Sequence, residues 1–248
     1  VEQKNDIAGR IILGVMNAAR GLGRGSEVLA QWKKIDIDIT DALNEAKDNV
    51  RFLTQLAKFL EPLYKGTPSS IIDALPALVN NLYIMQSVAR YYNTKDRMTT
   101  LFKKITNQLV LNCKGCIESR GRNLWEHDID ELLQILESCC DLNLAYQEQF
   151  NIIREKLMAQ PRGRSFELER VPIFEKFDRF CVRLRKLMDM FRTVKQFMTL
   201  IEHNIDGMER LTRVFTDEVD KMKNKRYNLV EDNSYFEKDY AEFQKQIE

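Results

Sequence analysis

The sequence predicts an all-α protein, an elongated stack of antiparallel helical bundles made from long, heptad-patterned helices. Three observations carry this expectation. Apolar residues recur at alternating intervals of three and four over long stretches. Only 10 Gly and 5 Pro interrupt 248 residues, which favours a few long elements over many short ones. No stretch alternates apolar and polar residues between turn signals as a strand would. With 44% hydrophobic and 30% charged residues, the chain can build a core and lacks the signature of disorder.

Residues 1–20 carry a helical stripe of Ile7, Ile11, Ile12, Val15, Met16 and Ala19, closed by a turn at Gly21-Leu22-Gly23-Arg24-Gly25. Ser26, followed by Glu27, reads as the N-cap of a long helix. Its seam is Trp32, Ile35, Ile39, Ala42, Ala46, Asn49, Leu53, Leu56, Leu60 and Leu63, polar only at Asn49. A stop is expected between Pro62 and Pro68, with Lys65-Gly66-Thr67-Pro68 as the turn and Ser69 or Ser70 as the next cap.

Ile71, Ile72, Leu75, Leu78, Val79, Leu82, Met85, Val88 and Tyr92 continue an apolar face. Pro76 either kinks that helix or begins a fresh one, and a kink is expected. Thr94 caps the following helix with Asp96 in its first turn. Met98, Leu101, Ile105, Leu109 and Asn112 then lead to a loop expected around Gly115–Gly121. Trp125, Ile129, Leu133, Leu136, Cys140, Leu144, Gln147, Phe150, Ile153 and Leu157 mark the next long helix, closed by Gln160-Pro161-Arg162-Gly163-Arg164.

The most sustained pattern is Phe177, Phe180, Leu184, Leu187, Phe191, Val194, Met198, Ile201, Ile205, Met208, Thr212, Phe215, Val219 and Met222, broken in character only at Thr212. At 1.5 Å per residue an unbroken helix over that span is roughly 70 Å long, more than the diameter of a compact small domain. Either the object is a rod or the helix bends near His203–Gly207. Phe236, Tyr240, Phe243 and Ile247 form a last short helix. Phe, Met and Trp in the seams suit an irregular antiparallel bundle better than a parallel coiled coil. No repeat of fixed period occurs, and the expected division is two helical-bundle segments, 1–123 and 124–248.

Lys+Arg 38 against Asp+Glu 37 leaves a formal net charge of +1, so no global field attracts nucleic acid or an anionic membrane. No apolar run approaches the ~18 residues of a membrane span, and the N-terminus lacks a signal pattern. A first residue of Val rather than Met suits a piece of a longer chain. Five cysteines, Cys113, Cys116, Cys139, Cys140 and Cys181, are odd in number and irregular in spacing, which reads as reduced thiols in a cytosolic compartment.

Each constellation that could carry chemistry has a plainer reading. Gly21–Ser26 could cradle a phosphate, yet no strand precedes it and the Gly-Lys-Ser/Thr of a nucleotide loop is missing. Cys113-Lys114-Gly115-Cys116 has the gap of a zinc knuckle or dithiol. Adjacent Cys139 and Cys140 on a helix point about 100° apart, however, and His127 and His203 are distant in sequence. Buried or helix-end thiols are the favoured reading. Asp128, Asp130 and Glu131, with His127 beside them, fit a helix N-terminus better than acid–base catalysis. Two basic clusters, Arg162/Arg164 with Arg170 and Lys221, Lys223, Lys225 with Arg226, read as solvated charges or, less favoured, a contact for an acidic partner. A carboxylate-bridged metal enzyme needs Glu-x-x-His pairs, and neither histidine has a Glu three residues before it. No catalytic, cofactor-binding or metal-ligating residue is assigned.

Particular strings go further than periodicity. TDALNEAKDNVRFL (40–53), Pro62-Leu63-Tyr64, Ile72-Asp73-Ala74-Leu75-Pro76, Tyr91-Tyr92-Asn93-Thr94 and Lys104-Ile105-Thr106-Asn107-Gln108 closely resemble the N-terminal tail of axonemal dynein heavy chains. FEKFDRF (174–180), Asp189-Met190-Phe191, Asp239-Tyr240 and Glu242-Phe243 continue the likeness in register across nearly the whole chain. The version Asn44-Glu45-Ala46-Lys47-Asp48-Asn49-Val50 looks most like the gamma class of outer-arm chains. Residues 116–125 and 162–170 match least, and no family role is read into them.

The resemblance implies a non-catalytic place in the tail, a curved stack of helical bundles upstream of the ring-shaped ATPase motor. In that family the tail joins heavy chains to one another and to intermediate and light chains. It also fixes the complex to docking sites on the doublet microtubule of the ciliary or flagellar axoneme. No cofactor, nucleic acid or membrane partner is implied, and the motor ATPase and its stalk belong elsewhere in such a chain. The alternative is an independent helical adaptor or tether.

Overall fold

A computed structural model of the chain describes residues 9–11, 13–15, 17–18, 25–119, 124–158, 168–203, 207, 209–223, 225, 227, 229–230 and 234–247. Residues 21–24 of the turn expected at 21–25, the turn at 160–164, and Ile7, Ile12, Met16 and Ala19 of the first stripe lie outside those residues, while Gly25 is already helical. The helices are α1 (Gly25–Lys65), α2 (Pro68–Val88), α3 (Lys95–Glu118), α4 (Ile129–Met158), α5 (Arg170–Glu202), α6 (Glu209–Lys223) and α7 (Ser234–Ile247), with a 3₁₀ turn at Leu124–Glu126 before α4. Residues 9–11, 13–15 and 17–18 are also helical, and no strand occurs among the described residues. The all-α expectation therefore holds. The chain forms two compact units, Val1–Thr54 and Gln55–Glu248.

In the first unit no described side chain is buried. Ile35 is 45% exposed and Ile39 42%, so these two positions of the expected seam face solvent, while Trp32 and Asn49 at its ends are half-buried. The side chain of Ser26, the expected cap of α1, lies outside what the structure describes.

The second unit is a helical bundle with α4 at its hub, packed on α2, α3 and α5, while α5 also packs on α3 and α7. Direction can be read from side-chain pairs. On α4 and α5, Gln147 meets Arg170, Asn143 meets Asp178, Glu137 meets Arg192 and Asp130 meets Lys195. Partner numbers rise along one helix as they fall along the other, so the pair is antiparallel. Its core holds Leu63, Ile71, Leu75, Leu78, Leu82, Phe102, Tyr146, Phe150, Phe174, Phe177, Phe180 and Phe191, each at most 2% exposed. Burying each large aliphatic side chain contributes about 1.5–3 kcal/mol relative to leaving it in water. Edge-to-face contacts of Phe150 with Phe102 and Phe174, at 5.2 and 5.1 Å between ring centroids, tie three helices at one point.

Several boundaries differ from expectation, each for a local reason. The cap of α2 is Thr67 rather than Ser69 or Ser70. Thr67 is extended (φ −76°, ψ 158°), its hydroxyl oxygen accepts from the Ser70 N–H at 3.4 Å, and Pro68 occupies the first turn. Proline fits there because the N–H it lacks would have had no intrahelical acceptor. Of the two readings of Pro76, a fresh helix does not occur, since α2 runs on through it to Val88. α3 does not end near Asn112 but continues through Gly115 to Glu118, because Cys113 and Ile117, one turn apart, are both buried. That burial outweighs the ~1 kcal/mol helix cost of a glycine.

On α4 Leu144 is 55% exposed, whereas Leu132, Cys139 and Tyr146 are buried. A helix covered by three neighbours buries a face too broad for a two-position seam. The long C-terminal pattern breaks where a bend was expected. α5 ends at Glu202, Gly207 has φ +91°, a conformation open to glycine, and α6 starts at Glu209.

Candidate functional site

The residues singled out for possible metal or redox chemistry lie where α3, α4 and α5 meet. Cys113 on α3, Cys139 and Cys140 on α4 and Cys181 on α5 are buried free thiols, and Cys116 is half-buried. As their 100° separation on a helix implies, Cys139 and Cys140 engage different neighbours. Interaction with Cys139, then burial, pushes the Cys113 thiol far above its ordinary value. Interaction with the Cys181 thiol holds Cys140 below its ordinary value against the cost of burial, with help from Arg185 and opposition from Asp141 and Glu137. The same interaction, then burial, pushes the Cys181 thiol up.

Cys116 points elsewhere, its Sγ 3.7 Å from Oδ1 of Asn112. The Cys113/Cys116 knuckle is thus replaced by two inter-helix pairs, Cys113 with Cys139 and Cys140 with Cys181. Among the described residues, no group of three or more His, Cys, Asp and Glu could hold a metal ion.

The acidic first turn of α4 is a cap. Asp128 Oδ1 accepts from the Glu131 N–H at 3.0 Å, and Asp130 binds Lys195 of α5 at 2.6 Å. His127 stands just outside α4, its Nε2 buried without a hydrogen-bond partner among the described residues. Beside it Trp125 packs on Phe191, 4.6 Å between ring centroids, anchoring the 3₁₀ turn to α5.

The basic residues are internally engaged as well. Lys221 pairs with Glu218, Lys223 with Asp220 at 2.9 Å and Lys225 with Asp239 at 2.8 Å. Arg170 donates to Gln147 Oε1 at 2.8 Å. Arg162, Arg164 and Arg226 lie outside the described residues.

Two buried polar features had no period to betray them. Asn143, 2% exposed, donates to Asp178 Oδ1 at 2.8 Å, and Gln147 donates to the same oxygen at 2.7 Å. Arg183, 5% exposed, donates to the carbonyl oxygens of Leu229 and Val230. Exposed apolar side chains occur on several helices, and on α1 they include Ile35, Ile37, Ile39 and Val50, between 42% and 69% exposed. The arrangement is a scaffold with an uncovered helix face.

Comparison with known proteins decides which scaffold. Residues 2–248 match the family described as dynein heavy chain, N-terminal region 1. The chain belongs to the dynein heavy-chain family. It is 37% identical over 240 residues, 96% of its length, to the dynein gamma chain of the flagellar outer arm of Chlamydomonas reinhardtii. It is 37% identical over 239 residues, again 96%, to dynein axonemal heavy chain 5 of Rattus norvegicus. Dynein axonemal heavy chain 8 of Mus musculus is 34% identical over 249 residues, covering 100% of the chain. The chain spans 5%, 7% and 5% of the lengths of these three relatives.

The likeness to axonemal heavy chains, with the outer-arm gamma chain among them, is thereby borne out. As a dynein heavy-chain tail segment it is non-catalytic, the ATPase motor lying elsewhere in such chains, and it belongs with the axonemal chains of cilia and flagella. No described helix is long and apolar enough to cross a membrane.

Proposed function

We propose that this chain is the part of an axonemal dynein tail that contributes to heavy-chain assembly, carries intermediate and light chains and helps anchor the motor to the doublet microtubule. The observation that carries the reading is the uncovered seam of α1, with Ile35 and Ile39 at 45% and 42% exposure in a helix whose later seam positions Leu56 and Leu63 are 3% and 0% exposed. An apolar face left open at seam spacing is the surface a neighbouring helix would cover in an assembly. Segments 1–123 and 124–248 are proposed as successive pieces of the tail, their helices interleaved because α2 and α3 pack on α4 and α5. A match over the whole chain favours this reading over an independent adaptor or tether.

The test is a pull-down of the tagged chain from detergent-extracted axonemes, with captured chains identified by mass spectrometry. The native chain should recover dynein heavy, intermediate or docking chains, and an Ile35→Asp/Ile39→Asp variant should lose them while keeping its helical circular dichroism. Recovery of none of these by the folded native chain overturns the proposal.

A further inference from the structure

The five cysteines have no role in the tail reading, and they are not scattered. In the antiparallel register fixed by the α4–α5 bridges, residues 143 and 178 face each other on one side and 137 and 192 on the other. Counted from the Asn143–Asp178 pair, three residues back along α4 and three on along antiparallel α5 lead to positions 140 and 181, and cysteines occupy both. Each is buried, at 6% and 1% exposure, and each shifts the acidity of the other. We propose that Cys140 and Cys181 form an oxidisable dithiol, which a hydroperoxide closes to a disulfide fastening α4 to α5. The inference does not depend on the assembly role of α1.

The two sulfurs are unlike in the way such a step requires. The thiolate is the nucleophile in thiol oxidation. Cys140 is the member whose thiolate is favoured, by its interaction with Cys181 first and by Arg185 in addition. It also keeps more exposure than Cys113, Cys139 or Cys181, 6% against 0%, 0% and 1%, which matters for a reagent as small as hydrogen peroxide.

In the first step the Cys140 sulfur attacks one peroxide oxygen and the O–O bond breaks. Cys140 becomes a sulfenic acid, and the departing hydroxide takes a proton to leave as water. In the second step the Cys181 sulfur attacks the Cys140 sulfur, an S–S bond forms and the S–O bond breaks. The leaving hydroxide accepts the Cys181 proton as a second water. The thiol pair loses two electrons and the peroxide gains them. Cys113 and Cys139 are the internal comparison, a neighbouring pair whose Cys113 thiol is pushed far up and fully shielded.

The experiment treats the folded chain with substoichiometric hydrogen peroxide, blocks free thiols with iodoacetamide in urea and maps disulfides by tandem mass spectrometry, with fragmentation separating Cys139 from Cys140. The Cys140–Cys181 link should form at least tenfold faster than Cys113–Cys139 and revert with dithiothreitol. In Cys181→Ser, dimedone should trap a sulfenic acid at Cys140; in Cys140→Ser neither link nor adduct should appear at Cys181. Formation of Cys113–Cys139 first, no disulfide in the native chain, or no dimedone adduct at Cys140 in a Cys181→Ser chain with native circular dichroism overturns the proposal.

Discussion

Arg183 Nε donates a hydrogen bond to the carbonyl oxygen of Leu229 across 2.6 Å, inside the packed part of the second unit. Its Nη2 reaches the next carbonyl, Val230, at 3.0 Å, so one guanidinium ties α5 to the segment that precedes α7. Carbonyls oriented towards a buried cation lose both a charge-assisted bond and access to water if the cation is removed. Arg183→Met should destabilise the chain by about 2–3 kcal/mol, seen as a lower urea midpoint. Arg183→Lys, which keeps the charge but not the fork, should recover only part of that loss.

Tyr146 makes stability fall at high pH. Its phenol is fully buried, its hydroxyl donates to the Phe102 carbonyl at 3.4 Å, and burial raises its pKa well above the ordinary tyrosine value. A raised folded-state pKa means the neutral-pH stability is intact below the unfolded-state value of about 10 and is lost as pH climbs beyond it, because only the unfolded chain releases the proton. Tyr146→Phe should cost about 1 kcal/mol at pH 8. Between pH 9 and 11 its urea midpoint should then decline less steeply than that of the native chain. Parallel slopes would show that Tyr146 is not the group responsible.

Two glycines should respond in opposite senses. A methyl added at Gly115, inside α3, meets nothing within 4 Å, so Gly115→Ala should stabilise by roughly 0.5–1 kcal/mol through helix propensity and a less free unfolded chain. At Gly66 the same methyl would lie 2.6 Å from the Pro62 carbonyl oxygen and 3.2 Å from Ile71 Cγ1. Gly66→Ala must push α1 and α2 apart and should lower the thermal midpoint by several degrees.

Removing the α2 cap tests a smaller effect. Thr67→Ala leaves the Ser70 N–H without its acceptor and should cost about 1 kcal/mol, whereas Thr67→Ser should be close to neutral. Chemical denaturation of the three chains decides it, and equal midpoints would mean that Pro68 alone sets the start of α2.

Helix type was legible in the sequence because a period near 3.6 is written in every turn of the chain, and the position of the break at Gly207 because glycine opens a conformation other residues avoid. The extent of each buried face was not. Leu144 continues the heptad of α4 yet is exposed, while Tyr146 and Leu132 are buried, since three neighbouring helices, and not one, decide which positions are covered. Gly115 announced a loop, but the burial of Cys113 and Ile117 overrode a weak local preference. The thiol pairs were invisible for another reason. Cys140 and Cys181 are partners through a register set by side chains far from either in sequence. Adjacency of Cys139 and Cys140 gave the right divergence of direction but not what each would meet.

The hub position of α4 also governs when the chain can fold during synthesis. α2 packs chiefly on α4 and α3 chiefly on α5, so each helix finds its main partner not in the next helix but in the one after. The apolar face of Ile71, Leu75, Leu78 and Leu82 must therefore wait for about 70 further residues to emerge, several seconds at ribosomal speed. Until Met158 has cleared the exit tunnel, the nascent chain presents most of that face to chaperones, and a stall before α4 would leave it only its lesser contact with α3.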